Sequence, residues 1–340
     1  MQHATESLFA RGNQFLGTRY PILCGAMTWV STPELVAAVT EAGAFAALAG
    51  GGMPPKLLEE SIQQTRALTS HPFGVNVITL GPAYHDHLAV LKNQPVPYVI
   101  FAGGLPKDTE IAAIRETGAK VMCFASTEML ARRLLSYGAD ALVLEGTEAG
   151  GHIGPVSLTV LLQQVLFHCD QVPVFVGGGL ATGKLMAHLL MMGAAGVQLG
   201  TRFAVAKECK AHPNFKEALL HAHARDAQPA GQFDSSLPVT AVRALRNEGT
   251  REFERLQLNL LSQLDAGHIT RGEAQAQVEH FWVGGLHRAA VLGDVSRGSV
   301  MAGQSVGLVN KEQSVQEIVQ ELVQECDQEV ERTRRLLQVP

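Results

Sequence analysis

The sequence predicts an α/β fold: a closed TIM-type (β/α)8 barrel with a small helical lid domain inserted near the C-terminus. Three observations predict it. Eight short apolar runs, each closed by glycine or a polar residue, recur between Pro21 and Phe203. Segments of helical period separate them, so the strands pair in parallel, each crossover returning the chain to the same sheet edge. After Phe203 this alternation stops and a polar, helical block follows. Eight units favour closure over the alternative, an open doubly wound sheet.

The runs span 21–25, 45–50, 73–78, 98–103, 120–125, 141–145, 172–177 and 196–203. After the first, Thr32 reads as an N-cap, the segment from Pro33 as a helix and Gly43 as its stop. From about Pro213 to Val283 no stretch reads as a strand, and candidate helices cover 214–224, 239–263 and 271–281. A glycine-rich passage over 293–304 returns toward the barrel. Ser314 and Glu317 form a capping-box pattern. Val315, Ile318, Val319, Leu322, Val323, Cys326 and Val330 then repeat at helical spacing, a stripe that packs on the barrel exterior or, alternatively, serves a homodimer contact. The expected organisation is a barrel over 1–205, a lid over 206–290, and a return segment with a C-terminal helix over 291–340.

Composition narrows the function. At 46% hydrophobic and 17% charged, the 340 residues can bury a large core. A net charge of −5 without a dense Lys/Arg tract argues against a nucleic-acid surface. Five scattered cysteines without a C-x-x-C pair read as free thiols of a reducing compartment, not as a metal site. The start of the chain lacks the pattern of a signal peptide, and no apolar run is long enough to span a membrane. The expectation is a cytoplasmic protein without nucleic-acid or membrane partners.

The stretch 145–154, Glu-Gly-Thr-Glu-Ala-Gly-Gly-His-Ile-Gly, is the strongest site signal. It follows the sixth run, at the end of a strand where α/β folds gather ligands and catalytic groups. Histidine is the side chain that ordinarily titrates near neutral pH, and His152 sits among Glu145, Glu148 and glycines, so it is the candidate catalytic residue; the plainer reading is a hydrogen-bonded structural histidine. Gly177 to Gly179 follow the seventh run and Gly200-Thr201 lie within the eighth, where backbone N–H groups commonly cradle a phosphate; the plainer reading is tight turns. Gly178, Gly183 and Lys184 have P-loop spacing, but Leu185 offers no hydroxyl for Mg²⁺. Asn76 is an amide inside an apolar strand, so it must bond backbone or ligand. The pairs His85/His87 and His221/His223 read as solvated surface, because i,i+2 spacing splits them over two faces.

Together, 145–154, Gly177-Gly-Gly179 and Gly200-Thr-Arg-Phe203 resemble the FMN-dependent nitronate monooxygenase superfamily, which includes the flavin-type (type II) enoyl-acyl-carrier-protein reductases. The likeness runs from about Tyr20 to Val309. The segments 206–214 and 293–304 lean toward the reductase branch. The resemblance implies FMN on a TIM barrel, with its phosphate on Gly178, Gly179, Gly200 and Thr201. It sets the flavin ring near Gly25, Ala26, Met27 and Asn76, with Glu145, Gly151 and Gln304 close by. NADH or NADPH is the implied reductant, and the implied substrate is a small or acyl-carrier-protein-bound 2-enoyl thioester. Nitronate oxidation with O₂, quinone reduction and passive flavin binding are the alternatives. The family often reads Gln-Gly-Gly-Met where this chain has Cys24-Gly25-Ala26-Met27, a loss of an amide and a gain of a methyl.

Overall fold

A computed structural model describes residues 5–230, 237 and 241–337. The barrel strands are β1 Ile22–Cys24, β2 Phe45–Ala49, β3 Gly74–Ile78, β4 Tyr98–Ala102, β5 Lys120–Ala125 and β6 Ala141–Glu145. A two-residue strand outside the barrel, β7 (Gly151–His152), precedes the last two, β8 Val174–Gly177 and β9 Gly196–Leu199. All eight barrel strands pair in parallel, and β9 closes on β1 with Gln198 opposite Leu23. Each falls within one of the apolar runs, because a barrel strand is covered on both faces and tolerates little polarity. The last run overshoots. Gly200 ends the strand, and Thr201–Ala204 turn into a short helix.

Inside the barrel, Leu23, Phe45, Tyr98, Ile100, Met122, Val143 and Phe175 interlock in one cluster. The helix Glu6–Leu16 plugs its N-terminal mouth: Leu16 is buried in that cluster. The Phe15 carbonyl accepts hydrogen bonds from Tyr98 Oη and Lys120 Nζ, both at 2.6 Å. With that end sealed, the cavity of the barrel opens at the C-terminal ends of the strands.

The helix Val315–Leu336 begins with the expected Ser314–Glu317 capping box and buries Val315, Ile318, Val319, Leu322 and Cys326. It lies along the helix Gly183–Met191, where a Cβ on Gly183 would collide with the Leu322 carbonyl. The stripe is therefore a barrel-facing seam. Arg202 ties the same helix to the rim: Nη1 donates to Ala181 O at 3.0 Å, and Nη2 to Gln313 Oε1 at 2.8 Å while lying 3.0 Å from Glu321.

The lid differs from expectation. It contains strands β10 Ala227–Ala230 and β11 Val242–Leu245, antiparallel to each other, and β11 also pairs with β7. The helix expected over 239–263 starts only at Glu248, capped by Asn247, whose side chain accepts from Thr250 N; residues 239 and 240 lie outside the described set. Four-residue strands leave too short a period to read, and the partner of β11 comes from far upstream. The helix Pro213–Leu220 ends earlier than expected, and the helix Arg271–Ala290 runs longer. Phe253, Trp282, Val278 and Leu260 form the lid core, with Phe253 and Trp282 ring centroids 4.3 Å apart. Trp29 links lid to barrel: its Nε1 donates to Val283 O at 3.2 Å.

Candidate active site

A cavity of about 550 Å³ opens between the C-terminal rim of the barrel and the lid. The β1 loop brings Gly25, Ala26 and Met27 to its wall, and β3 brings Asn76. The end of β6 contributes Glu145, and β7 contributes Gly151 and His152. Gly178 and Gly179 after β8, and Gly200 and Thr201 after β9, form the opposite wall. Residues scattered through the sequence thus meet in one place because each ends a strand at the same rim.

Gln304 is the exception. It is exposed and is not among the residues lining the cavity, while its N–H donates to Glu148 O at 2.9 Å. Its neighbours Gly303 and Ser305 line the wall instead. Glu148 also departs from expectation. Its carboxylate accepts from Leu158 N at 3.1 Å, at the start of the helix Leu158–Gln164, and so serves as a cap. Cys24 faces the layer between barrel and helices, where burial pushes its thiol far up; the change at this position does not touch the cavity wall. His87 is not surface: it is fully buried with Nε2 2.7 Å from Met53 O, and desolvation lowers its pKa. His85, His221 and His223 are exposed as expected.

His152 is held from the lid side. Its backbone pairs with Val242 of β11, and the next N–H, of Ile153, donates to Ala241 O at 2.8 Å. Its Nε2 lies 3.1 Å from Glu279 Oε1, a buried carboxylate on the helix Arg271–Ala290. Sequence reading missed Glu279, which has no local signal. It also missed Gln198, whose amide packs against Gly25 and Gly177 in the barrel mouth. That residue had the same signal as Asn76, an amide within an apolar strand. Of the two partners expected for Asn76 the structure shows the backbone one, Nδ2 donating to Ile100 O at 3.1 Å; the residue also lines the cavity.

Two features suit an anionic, planar ligand. Gly178 and Gly179 have φ of +92° and +74°, a backbone that turns N–H groups in a way side chains oppose. Gly200 carries no Cβ on the cavity side, where the nearest atom would be Met27 Sδ at 3.7 Å. The Glu145 side chain has no hydrogen bond within the described residues, and burial pushes its carboxyl up to about 8 from an ordinary 4.5. Between those values the folded protein keeps a proton that the unfolded chain releases. Stability therefore falls as pH rises through that window, by up to about 1.4 kcal/mol per unit. The melting temperature of ligand-free protein should drop from about pH 5 to about pH 8. Glu145→Gln should flatten that slope; an unchanged slope assigns it to other groups.

A closed barrel whose glycine-rich rim and imidazole line one cavity belongs to the class of barrel enzymes that act on a small molecule bound at the C-terminal ends of the strands. Comparison with known proteins makes the class specific. The nitronate monooxygenase family model matches residues 11–94 and 78–325, and the chain belongs to that family. The family is flavin-dependent, and its members are oxidoreductases, enoyl reductases or nitronate monooxygenases. FabK from Thermotoga maritima, a type II enoyl-ACP reductase, is 35% identical over 96% of this chain and 98% of its own, with a TM-score of 0.82. The nitroalkane oxidase of Streptomyces ansochromogenes is 28% identical over 93% and 98%, with a TM-score of 0.77. The (3aS,4S,5R,7aS)-5-hydroxy-7a-methyl-1-oxo-octahydro-1H-indene-4-carboxyl-CoA dehydrogenase of Mycobacterium tuberculosis is 31% identical over 77% and 70%. Its Rhodococcus jostii counterpart is 34% identical, but the match spans 62% of that protein's length. Among the described residues, no helix is long and apolar enough to cross a membrane.

Proposed function

We propose that this protein is an FMN-dependent, NAD(P)H-consuming reductase of 2-enoyl thioesters, carried by a small thiol or by acyl-carrier protein. The observation that carries the reading is the 35% identity to FabK over nearly the full length of both chains, lid included. The relatives named for a carboxyl-CoA substrate point to thioesters as well.

The residues present fit FMN. Gly178, Gly179, Gly200 and Thr201 would hold its phosphate through main-chain N–H groups. Gly25, Ala26, Met27, Asn76, Glu145 and Gly151 would surround the ring, with room left by the absent side chains of the glycines. Bound there, FMN supplies hydride chemistry between a nicotinamide and an enoyl carbon. In the net reaction NAD(P)H and one proton saturate the double bond, hydride at the β-carbon and proton at the α-carbon. His152 donates a hydrogen bond to the thioester oxygen, where negative charge builds, or delivers the α-proton. Trp282, Val283 and Leu286 of the lid line the cavity roof and keep water from that charge.

Nitronate oxidation is the second reading, favoured by the nitroalkane oxidase neighbour. His152 would there hold the nitro oxygens. Anaerobic NAD(P)H oxidation that depends on a crotonyl thioester is the expected result. Oxygen uptake with alkyl nitronate alone, and no response to crotonyl thioester, would replace the reductase reading with the second.

A further inference from the structure

We propose that Glu279, on the lid, is a positioning residue that accepts the Nε2–H of His152 and thereby presents Nδ1 to the substrate. The proposal rests on the reading of His152 as the group that meets substrate.

Three observations lead to it. First, the carboxylate is 4% exposed, and among the described residues its one hydrogen bond is to His152. A buried carboxylate without a donor is costly, so this contact is what makes its burial tolerable. On the same helix Val283 and Leu286 are apolar, and the buried Trp282 indole N–H makes no hydrogen bond to it. Second, β-pairing to β11 fixes the backbone of His152 but leaves ring rotation free. Glu279 is the group that fixes the ring, since Nδ1 has no hydrogen bond within the described residues. Third, the two carboxylates that sequence proximity offers are engaged elsewhere or unpaired: Glu148 caps Leu158, and among the described residues Glu145 makes no hydrogen bond to the imidazole.

The chemistry follows from proton inventory. A neutral imidazole has a single N–H, and an ionised carboxylate can only accept. Both residues line the cavity; opposite Glu279 that proton sits on Nε2, which leaves Nδ1 as the lone pair free to meet substrate. When the ring takes a second proton, Nδ1–H becomes the donor, and the same nitrogen returns to the same place after giving it up. Glu279 thus selects which ring atom works, much as a buried acid does for other catalytic histidines.

The test uses full-length protein labelled with ¹⁵N-histidine, with His152→Ala to assign the resonance. The expected wild-type signal is the Nε2–H tautomer. In Glu279→Leu the ring should become a mixture of tautomers, and kcat for crotonyl thioester should fall about 10-fold or more, with KM within about 3-fold and flavin content unchanged. The isosteric Glu279→Gln, which keeps the fold if the leucine variant does not, should lose less. A wild-type Nδ1–H ring, or a tautomer indifferent to both substitutions, overturns the pairing. A tautomer shift in a protein that never reduces the thioester supports the pairing and overturns the reductase reading, so the two can fail separately.

Discussion

Replacing His152 with alanine is expected to lower turnover of an enoyl thioester about 10²–10⁴-fold, the range typical of a lost general acid or oxyanion donor. Flavin should stay bound, because the residues assigned to its phosphate follow β8 and β9 while His152 lies on β7. The alanine also strands the buried Glu279, a stability cost of about 1–3 kcal/mol. His152→Gln separates the two effects: its amide can still donate to Glu279 but cannot carry a proton to substrate. Stopped-flow reduction and steady-state rates on both variants, beside melting curves, check the outcome. Undiminished turnover in His152→Gln would remove the imidazole from the chemistry.

The second large effect is expected at Gly178. Its φ of +92° is open to glycine and strained for a β-branched residue, and a Cβ there would lie 3.0 Å from Gly146 O. Gly178→Val must flatten the turn, which withdraws the N–H groups that we assign to the FMN phosphate. The backbone cost alone is about 1–2 kcal/mol, or roughly 10-fold in affinity, and loss of the phosphate contacts adds to it. Titration of the flavin-free protein with FMN, followed by fluorescence quenching, should register a drop of about 10- to 100-fold, with circular dichroism of the barrel unchanged. Equal affinity for FMN would move the phosphate elsewhere on the rim.

How much of this was legible depends on how local the cause is. The barrel strands announce themselves because both faces are covered, which forces runs such as Ala141-Leu142-Val143-Leu144. The rim residues follow, since each sits where such a run breaks. The lid sheet was hidden: Val242–Leu245 is four residues long and takes its partner from Gly151–His152. Glu279 was hidden for a related reason, being one acid on a mixed polar helix, with its meaning set by a histidine over a hundred positions away. Gln304 is exposed, whereas its neighbours Gly303 and Ser305 line the cavity, a one-residue distinction that no local pattern announces. Gln198 could have been found by the argument that found Asn76.

The short strand carrying the imidazole belongs to two bodies at once: covalently to the barrel, and by its ladder and its carboxylate to the cap above it. Hinging the cap away would therefore unseat the imidazole along with it. An engineer who grafts a foreign cap to change substrate range must supply a matching edge and an acid at the corresponding helical turn. Otherwise the chimera would inherit a pocket but not a working proton donor.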